Sequence, residues 1–487
     1  MNQTIDYHAI LPELLLAGTV LLVLVVDVFL PAKRKSWSMV VGLIGTVAAL
    51  VATLTLIGDA RSTFGGSYVV DNFAILFKVF FLSVAIVVLG ISFRYFREGG
   101  FYQGEYYFLL LTSFLGCVMM PSSRDLLLLF IALELVSAPG FLMAAFRKTD
   151  PRSNEAGLKF FLIGVLSTAV MLYGMSLIYG LTGSTRLDAI ARGLTDIPAA
   201  KETLAFSAIL FVVIGFAFKV SAVPFQFWAP DTYEGAPVPV AAFLAVASSA
   251  AGFAGLMQLM FVAFINQHAF WTPVFAALSI ATMTLGNLVA LKQTQVVRLL
   301  AYSGIAQAGY ILLPFALVSG DAAVNRSAFS ASVAYILIYA IMNLGAFAVT
   351  IAVSRREPAL LIADFAGLVR RAPLLAVGMT AFMISLAGVP PTGGFWAKIL
   401  IFKAAIERGG VGPWLAVIML ANSVISVVYY FAVPKQMVLE PARDESRLRS
   451  PMLVNAVVLL TLVAIVAVFV FPNPIARAAE ISTLIGG

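Results

Sequence analysis

The chain carries little charge for its length. Asp, Glu, Lys and Arg together make up 11% of 487 residues, where a soluble globular chain carries roughly a quarter. That argues against several soluble domains, the reading that length alone suggests. Cysteine and histidine are scarcer still: Cys117, His8 and His268 are the whole supply. One cysteine excludes an internal disulfide and an iron–sulfur cluster bound by this chain alone, and the three residues together speak against a zinc or haem site. No metal or cofactor is expected in this chain. A basic leader is also missing. Asp6, His8 and Glu13 precede or interrupt the first apolar run, so a cleavable signal peptide is not expected and the first helix is read as an anchor. The net charge of +7 does not point to nucleic acid, because the basic residues are scattered and build no stripe or patch.

What the chain has in abundance is apolar sequence. Hydrophobic residues make up 61% of it, with a mean hydropathy of +0.99, the composition of a polytopic all-α membrane protein. About fourteen runs reach the length needed to cross hydrocarbon, approximately 10–30, 37–58, 72–93, 105–121, 125–146, 157–181, 204–228, 237–264, 270–291, 295–319, 329–353, 373–406, 413–433 and 451–471. No gap between them holds a soluble domain, so 1–487 is read as a single membrane domain. Loops after odd-numbered spans hold more than twice the Lys and Arg of even ones, from Lys33, Arg34 and Lys35 in the first to Arg443, Arg447 and Arg449 in the last. This bias predicts odd loops in the cytoplasm and both termini outside.

The span from Pro373 to Ile406 is too long for one crossing, since a straight helix of that length would reach about 50 Å. Its middle, Gly388-Val389-Pro390-Pro391-Thr392-Gly393-Gly394, cannot continue a helix, so a broken helix is expected. Span seven carries a similar interruption at Pro224, and Phe227-Trp228-Ala229 there is echoed by Phe395-Trp396-Ala397 after the second break. Two broken spans five positions apart fit two inverted five-helix repeats, approximately 105–264 and 270–433, flanked by helices at 10–93 and 451–471, with transport at the breaks. Two unrelated proline kinks are the simpler alternative.

A charge at the bilayer centre costs at least about 2.5–3.5 kcal/mol, so it needs a partner, water or a function. Glu134 lies roughly 15 and 20 Å of helix from the nearest basic residues on either side, Arg124 and Arg147. Lys219 and Lys398 are comparably deep, the first shortly before the Pro224 break and the second directly after the Pro390-Pro391 break. Lys159 lies about one turn inside its span. Glu134, Lys219 and Lys398 are read as functional rather than as a silent salt bridge; for Lys159, snorkelling to the edge is an equal alternative. Lys78 and Lys403 are expected to snorkel, and Glu13 and Asp27 to sit at the interface. Buried lysine suits proton transfer, because desolvation favours the neutral amine and a nearby carboxylate favours the ammonium, so small movements of partners can release a proton. No cage of carboxylates suggests sodium or calcium.

The run from Phe218 to Pro237, with Lys219, Pro224, Phe227-Trp228-Ala229 and Tyr233-Glu234-Gly235-Ala236-Pro237, resembles the signature of the subunit N family of respiratory complex I, the proton-pumping NADH–quinone oxidoreductase. Leu133-Glu134, Glu155-Ala156-Gly157-Leu158-Lys159, Leu300 to Tyr310 and Leu386 to Lys398 extend the resemblance over essentially the whole chain. It implies a fourteen-helix subunit of the membrane arm in a bacterial inner membrane. Neighbouring membrane subunits would be its partners, while NAD, FMN, iron–sulfur clusters and quinone would be bound by partner subunits. By the same resemblance Glu134 tunes Lys219, Lys159 is an input or tuning lysine, and Lys398 lies near the exit. The sequence departs from the family where a lysine is usual in span eight: Ser249 stands there, beside Ser248. Gln307 stands where many relatives have histidine. A hydroxyl orders water but does not hold a proton as an ammonium does, so Ser248, Ser249 and Gln307 are the candidates for a water-ordered route. A subunit of a multi-subunit sodium/proton antiporter, or a membrane subunit that only transmits conformational change, are the competing readings.

Overall fold

The computed structural model describes residues 5–31, 34–99, 103–195, 197–442 and 446–484; Lys33 and Arg443, counted among the loop charges, lie outside these. Its helices are α1 (Leu11–Phe29), α2 (Trp37–Leu54), α3 (Asn72–Glu98), α4 (Gln103–Met119), α5 (Leu126–Ala144), α6 (Pro151–Thr182), α7 (Leu187–Gly193), α8 (Ala199–Lys219) and α9 (Trp228–Gly235). They continue with α10 (Val238–Ala263), α11 (His268–Ala290), α12 (Val296–Leu312), α13 (Ala322–Ser354), α14 (Pro373–Ala387), α15 (Gly393–Arg408), α16 (Gly412–Leu439), α17 (Met452–Val470) and α18 (Asn473–Ile481). Aspartates set many of the starts. Asp71, Asp125, Asp150 and Asp321 each accept a first-turn backbone N–H of α3, α5, α6 and α13, satisfying donors that hydrocarbon cannot.

Among the described residues twelve helices are long and apolar enough to cross a membrane. Of the runs read from the sequence, 105–121 appears as the 17-residue α4, and 373–406 as the half helices α14 and α15. The middle of the bundle belongs to α10 and α13, whose most apolar windows are 94% and 89% buried, against 28% for α1. In α10 the reason is composition: a run of Ala, Ser and Gly lets neighbouring backbones approach closely. Two π-helical turns, Leu244–Ser248 and Leu259–Ala263, interrupt α10, and such turns often mark functional sites.

Both expected interruptions are present. The first is wider than a proline kink: α8 stops at Lys219, Ser221 takes a left-handed φ of 57°, and α9 restarts at Trp228. The second runs from Gly388, at φ 84°, through Pro390 and Pro391 to the N-cap Thr392. Between α2 and α3 the chain forms a short antiparallel hairpin of β1 (Arg61–Thr63) and β2 (Tyr68–Val70), and between α6 and α8 the short α7.

Candidate functional site: two broken helices with buried lysines

At the first break Lys219 is the last residue of α8 and only 1% exposed. Its ammonium donates to Ser137 Oγ of α5 at 2.9 Å, and its stem packs against the α10 backbone at Gly252, where a Cβ would meet Lys219 Cγ at 2.9 Å. Glu134, one turn before Ser137 and expected to tune Lys219, forms no ion pair with it. No contact within 4.0 Å joins it to Lys219; its Oε1 accepts instead from Thr168 Oγ1 of α6 at 2.9 Å. Ser137, one turn further along α5, takes the ammonium instead. Glu134 is half-buried and borders a shallow groove lined by Leu109, Phe130, Leu135 and Pro139. Pro224 faces outward, and Trp228, 1% exposed, donates its indole N–H back across the break to Phe218 O at 3.1 Å.

Lys398 stands in the second turn of α15, buried, and reaches back over the second break. Its ammonium donates to Ala387 O, the last residue of α14, at 2.7 Å and lies 4.8 Å from the centre of the Tyr310 ring. A cation at the carbonyl end of a helix and over an aromatic face is doubly favoured. Gly394 N–H donates to Ser385 Oγ at 3.1 Å, fastening the half helices together, and no room exists for a Cβ at Gly394 against the Ser385 carbonyl. Pro390 and Pro391 face outward here too, while the lysine faces in. The Phe-Trp-Ala echo is only partly structural, because Trp396 donates sideways to Phe469 O of α17.

Between the breaks the groups are neutral. Ser248 Oγ is buried and without a hydrogen-bond partner among the described residues, and Ser249 Oγ donates to Leu244 O across the π turn at 3.1 Å. Ser249 borders a cavity of about 10 Å³, with Ser221, Tyr233 and Tyr339 also on its wall; that is room for about one water. Gln307, 1% exposed, is the hub of a buried network: it donates to Leu386 O and Tyr430 OH at 3.0 and 2.9 Å, and accepts from Tyr335 OH at 2.5 Å. Ser303 joins Tyr430 at 2.6 Å, and Tyr429, Asn287 and Tyr310 continue the chain of hydrogen bonds to the ring under Lys398. Sequence reasoning passed over these tyrosines and Asn287, since single polar groups in apolar helices read as core.

Lys159 is set apart from this file. Its side chain is 43% exposed and paired with Glu155 and Asp231, each at 2.7 Å. Asp231 and Glu234 in turn bind Arg298 at 2.9 and 2.6 Å, so the acidic residues of the Asp-Thr-Tyr-Glu-Gly run serve a five-membered charge network that spacing alone did not reveal. Lys403, 63% exposed, stands near the end of α15 beside Glu407, and Asp27 pairs with Lys35. Lys78 overturns its expectation. It does not snorkel: it is completely buried and paired at 2.9 Å with Glu13, a residue of the first turn of α1. The partner comes from α1, which depth along α3 does not disclose.

Residues 123–426 match the family model described as NADH:quinone oxidoreductase/Mrp antiporter, TM. NADH-quinone oxidoreductase subunit N of Trichlorobacter lovleyi is 43% identical over 444 residues, covering 91% of this chain and 90% of that one. Subunit N of Moorella thermoacetica is 38% identical over 475 residues, covering 97% and 98%. A chain of respiratory complex I from Thermus thermophilus, solved with bound aureothin, superposes with a TM-score of 0.79 at 30% identity, covering 96% of this chain and 99% of that one. A chain of the Mrp complex from Dietzia sp. shares the fold with a TM-score of 0.85 at 20% identity, covering 98% and 97%. A family model that takes in most of the chain, and relatives matched from near one end to the other, lead to one conclusion: this chain belongs to the subunit N family of the NADH-quinone oxidoreductases.

Proposed function

We infer that the chain is a proton-translocating subunit in the membrane arm of a bacterial NADH-quinone oxidoreductase, in which electron transfer in partner subunits drives protons past Glu134, Lys219 and Lys398. The observation that carries the site is the placement of a buried lysine at each break, Lys219 as the last residue of α8 with its ammonium on Ser137, and Lys398 with its ammonium on the carbonyl that ends α14. Such an end holds a cation without a full counter-charge, so loss or gain of one hydrogen bond can decide whether the proton stays. Lys219 has the Ser137 hydroxyl, with the Glu134 carboxylate one turn away. Small relative movement of α5 and α8 would exchange the one for the other and change the lysine's hold on its proton. Lys159, tied into surface charges, suits the entry side.

Between the lysines no group among the described residues holds a proton as an ammonium does. Ser248, Ser249, Tyr233, Tyr339 and the Gln307 network supply hydroxyls and amides that order water instead, and transfer through them proceeds by exchange of hydrogen bonds. The two breaks mark equivalent points in two five-helix repeats, approximately 105–264 and 270–433. NAD, FMN, iron–sulfur clusters and quinone belong to partner subunits, so the chain contributes to a translocase without a redox centre of its own. The charge bias places both termini on the periplasmic side of the inner membrane.

Mild-detergent purification of the tagged chain tests the reading against the sodium/proton antiporter that shares its fold. Flavin and iron–sulfur absorbance in the same particle is the expected result. Other hydrophobic subunits without that absorbance would mean the antiporter.

A further inference from the structure

The completely buried cation nearest the N-terminus lies outside the stretch matched by the family model and has no part in the route above. Lys78 Nζ sits 2.9 Å from Glu13 Oε1 and donates to Tyr68 OH at 2.9 Å, with the Tyr68 ring centre 5.1 Å away. All three residues are buried, and they come from three elements, α1, β2 and α3. Lys78 is the seventh residue of α3, so it lies about 10 Å along that helix from its first turn.

The two partners are unequally satisfied. The ammonium has a carboxylate, a phenol and an aromatic face. Among the described residues neither Glu13 oxygen completes a well-formed hydrogen bond beyond the ion pair, nor does Ser122 Oγ, in the residue before the Ser123 that bridges to Tyr68; the Tyr68 hydroxyl, close to both, has one proton to give. A carboxylate with one ion pair and at most one neutral donor leaves most of its lone pairs without a protein partner, and such polar atoms call for water or a proton. A pair that only pinned α1 to α3 would be matched or bettered by apolar side chains of the same volume. Within a membrane an ionisable pair is a functional site by default. The way out is short: Asp71, at the start of α3, caps that helix and binds Arg124, with 30% of its side chain exposed.

We propose that Glu13, with Lys78 and Tyr68, is a second proton-holding site, which takes up a proton on the Glu13 carboxylate and releases it to the face on which α1 and α3 begin. In the empty state the pair is Glu13 carboxylate with Lys78 ammonium, net neutral. Uptake forms the O–H bond on Glu13 and leaves one positive charge, held by the Lys78 ammonium on the Tyr68 hydroxyl and ring. Release returns the same proton to water and restores the ion pair, with no other bond made or broken. The site rests on the proton-pumping reading of the chain.

The test compares NADH-driven proton uptake per NADH oxidised in membrane vesicles holding the parent complex or the variant Glu13→Gln with Lys78→Met. That pair of changes removes both charges at nearly constant volume. The expected result is a lowered proton-to-NADH ratio at parental complex content; a parental ratio overturns the proposal. Parent vesicles that take up no protons would instead defeat the pumping reading itself. Infrared difference spectra of oxidised and NADH-reduced complex decide the matter even where the double variant does not assemble. A protonated-carboxyl band in the parent that moves in Glu13→Asp supports the site, and its absence overturns it.

Discussion

The two breaks solve one problem in two ways. At the first, the lysine is the last residue of its own half helix, and the hydrogen bond comes from a neighbouring helix, Lys219 to Ser137. At the second, the lysine sits in the following half helix and donates across the gap to the carbonyl of the preceding one, Lys398 to Ala387. Lys219 can therefore change partner when α5 moves against α8, whereas Lys398 is tied to the geometry of its own break. The first arrangement suits a group tuned from outside, by Glu134. The second suits one that responds when the half helices shift.

Short of removing a lysine itself, the largest effect is expected from Pro390→Ala with Pro391→Ala, which lets α14 run into α15 and carries Lys398 away from the Ala387 carbonyl. Proton uptake should fall by roughly 100-fold, the scale on which a positioned proton-transfer group contributes, and by more than complex content on a native gel. Next comes Ser137→Ala. A hydrogen bond to a charged group is worth about 1.5–3 kcal/mol, so uptake should slow by about tenfold or more, with Ser137→Thr restoring it; equal rates in all three forms would show that Lys219 does not depend on this hydroxyl. Ser248→Ala with Ser249→Ala should lower uptake well below either single change, because one lost hydroxyl can be covered by water and two leave a dry gap. Uptake in the double variant equal to the parent's would remove the central water route. The smallest effects separate the two tryptophans. Trp228→Phe and Trp396→Phe each forfeit about 1 kcal/mol of hydrogen bonding, but Trp228→Phe should slow uptake while Trp396→Phe lowers only the melting temperature of the complex.

Charge inside apolar sequence is legible, which is why Glu134, Lys219 and Lys398 could be singled out before any fold was known. Proline and glycine inside a span are legible for the same reason, although the end of α8 at Lys219 depends on the left-handed Ser221 that no pattern announces. Partners were harder to read. The sequence marks Glu134 as a carboxylate that could act on Lys219, but which side chain the ammonium touches is decided by packing, and there it is Ser137. Depth along one helix led to the expectation that Lys78 snorkels, because it says nothing of the neighbour that buries it. Gln307 was singled out, but the tyrosines and asparagine that bind it into a network left no trace in the sequence, since a lone hydroxyl or amide in an apolar run looks the same whether or not it meets another.

Substituting each lysine alone puts the account to its most direct test. Proton uptake per NADH oxidised should be measured in vesicles carrying Lys219→Met and, separately, Lys398→Met, at equal complex content. The account predicts that uptake coupled to NADH oxidation is nearly lost in both, because each break holds a lysine with no substitute of its kind. A parental ratio in either variant would contradict it.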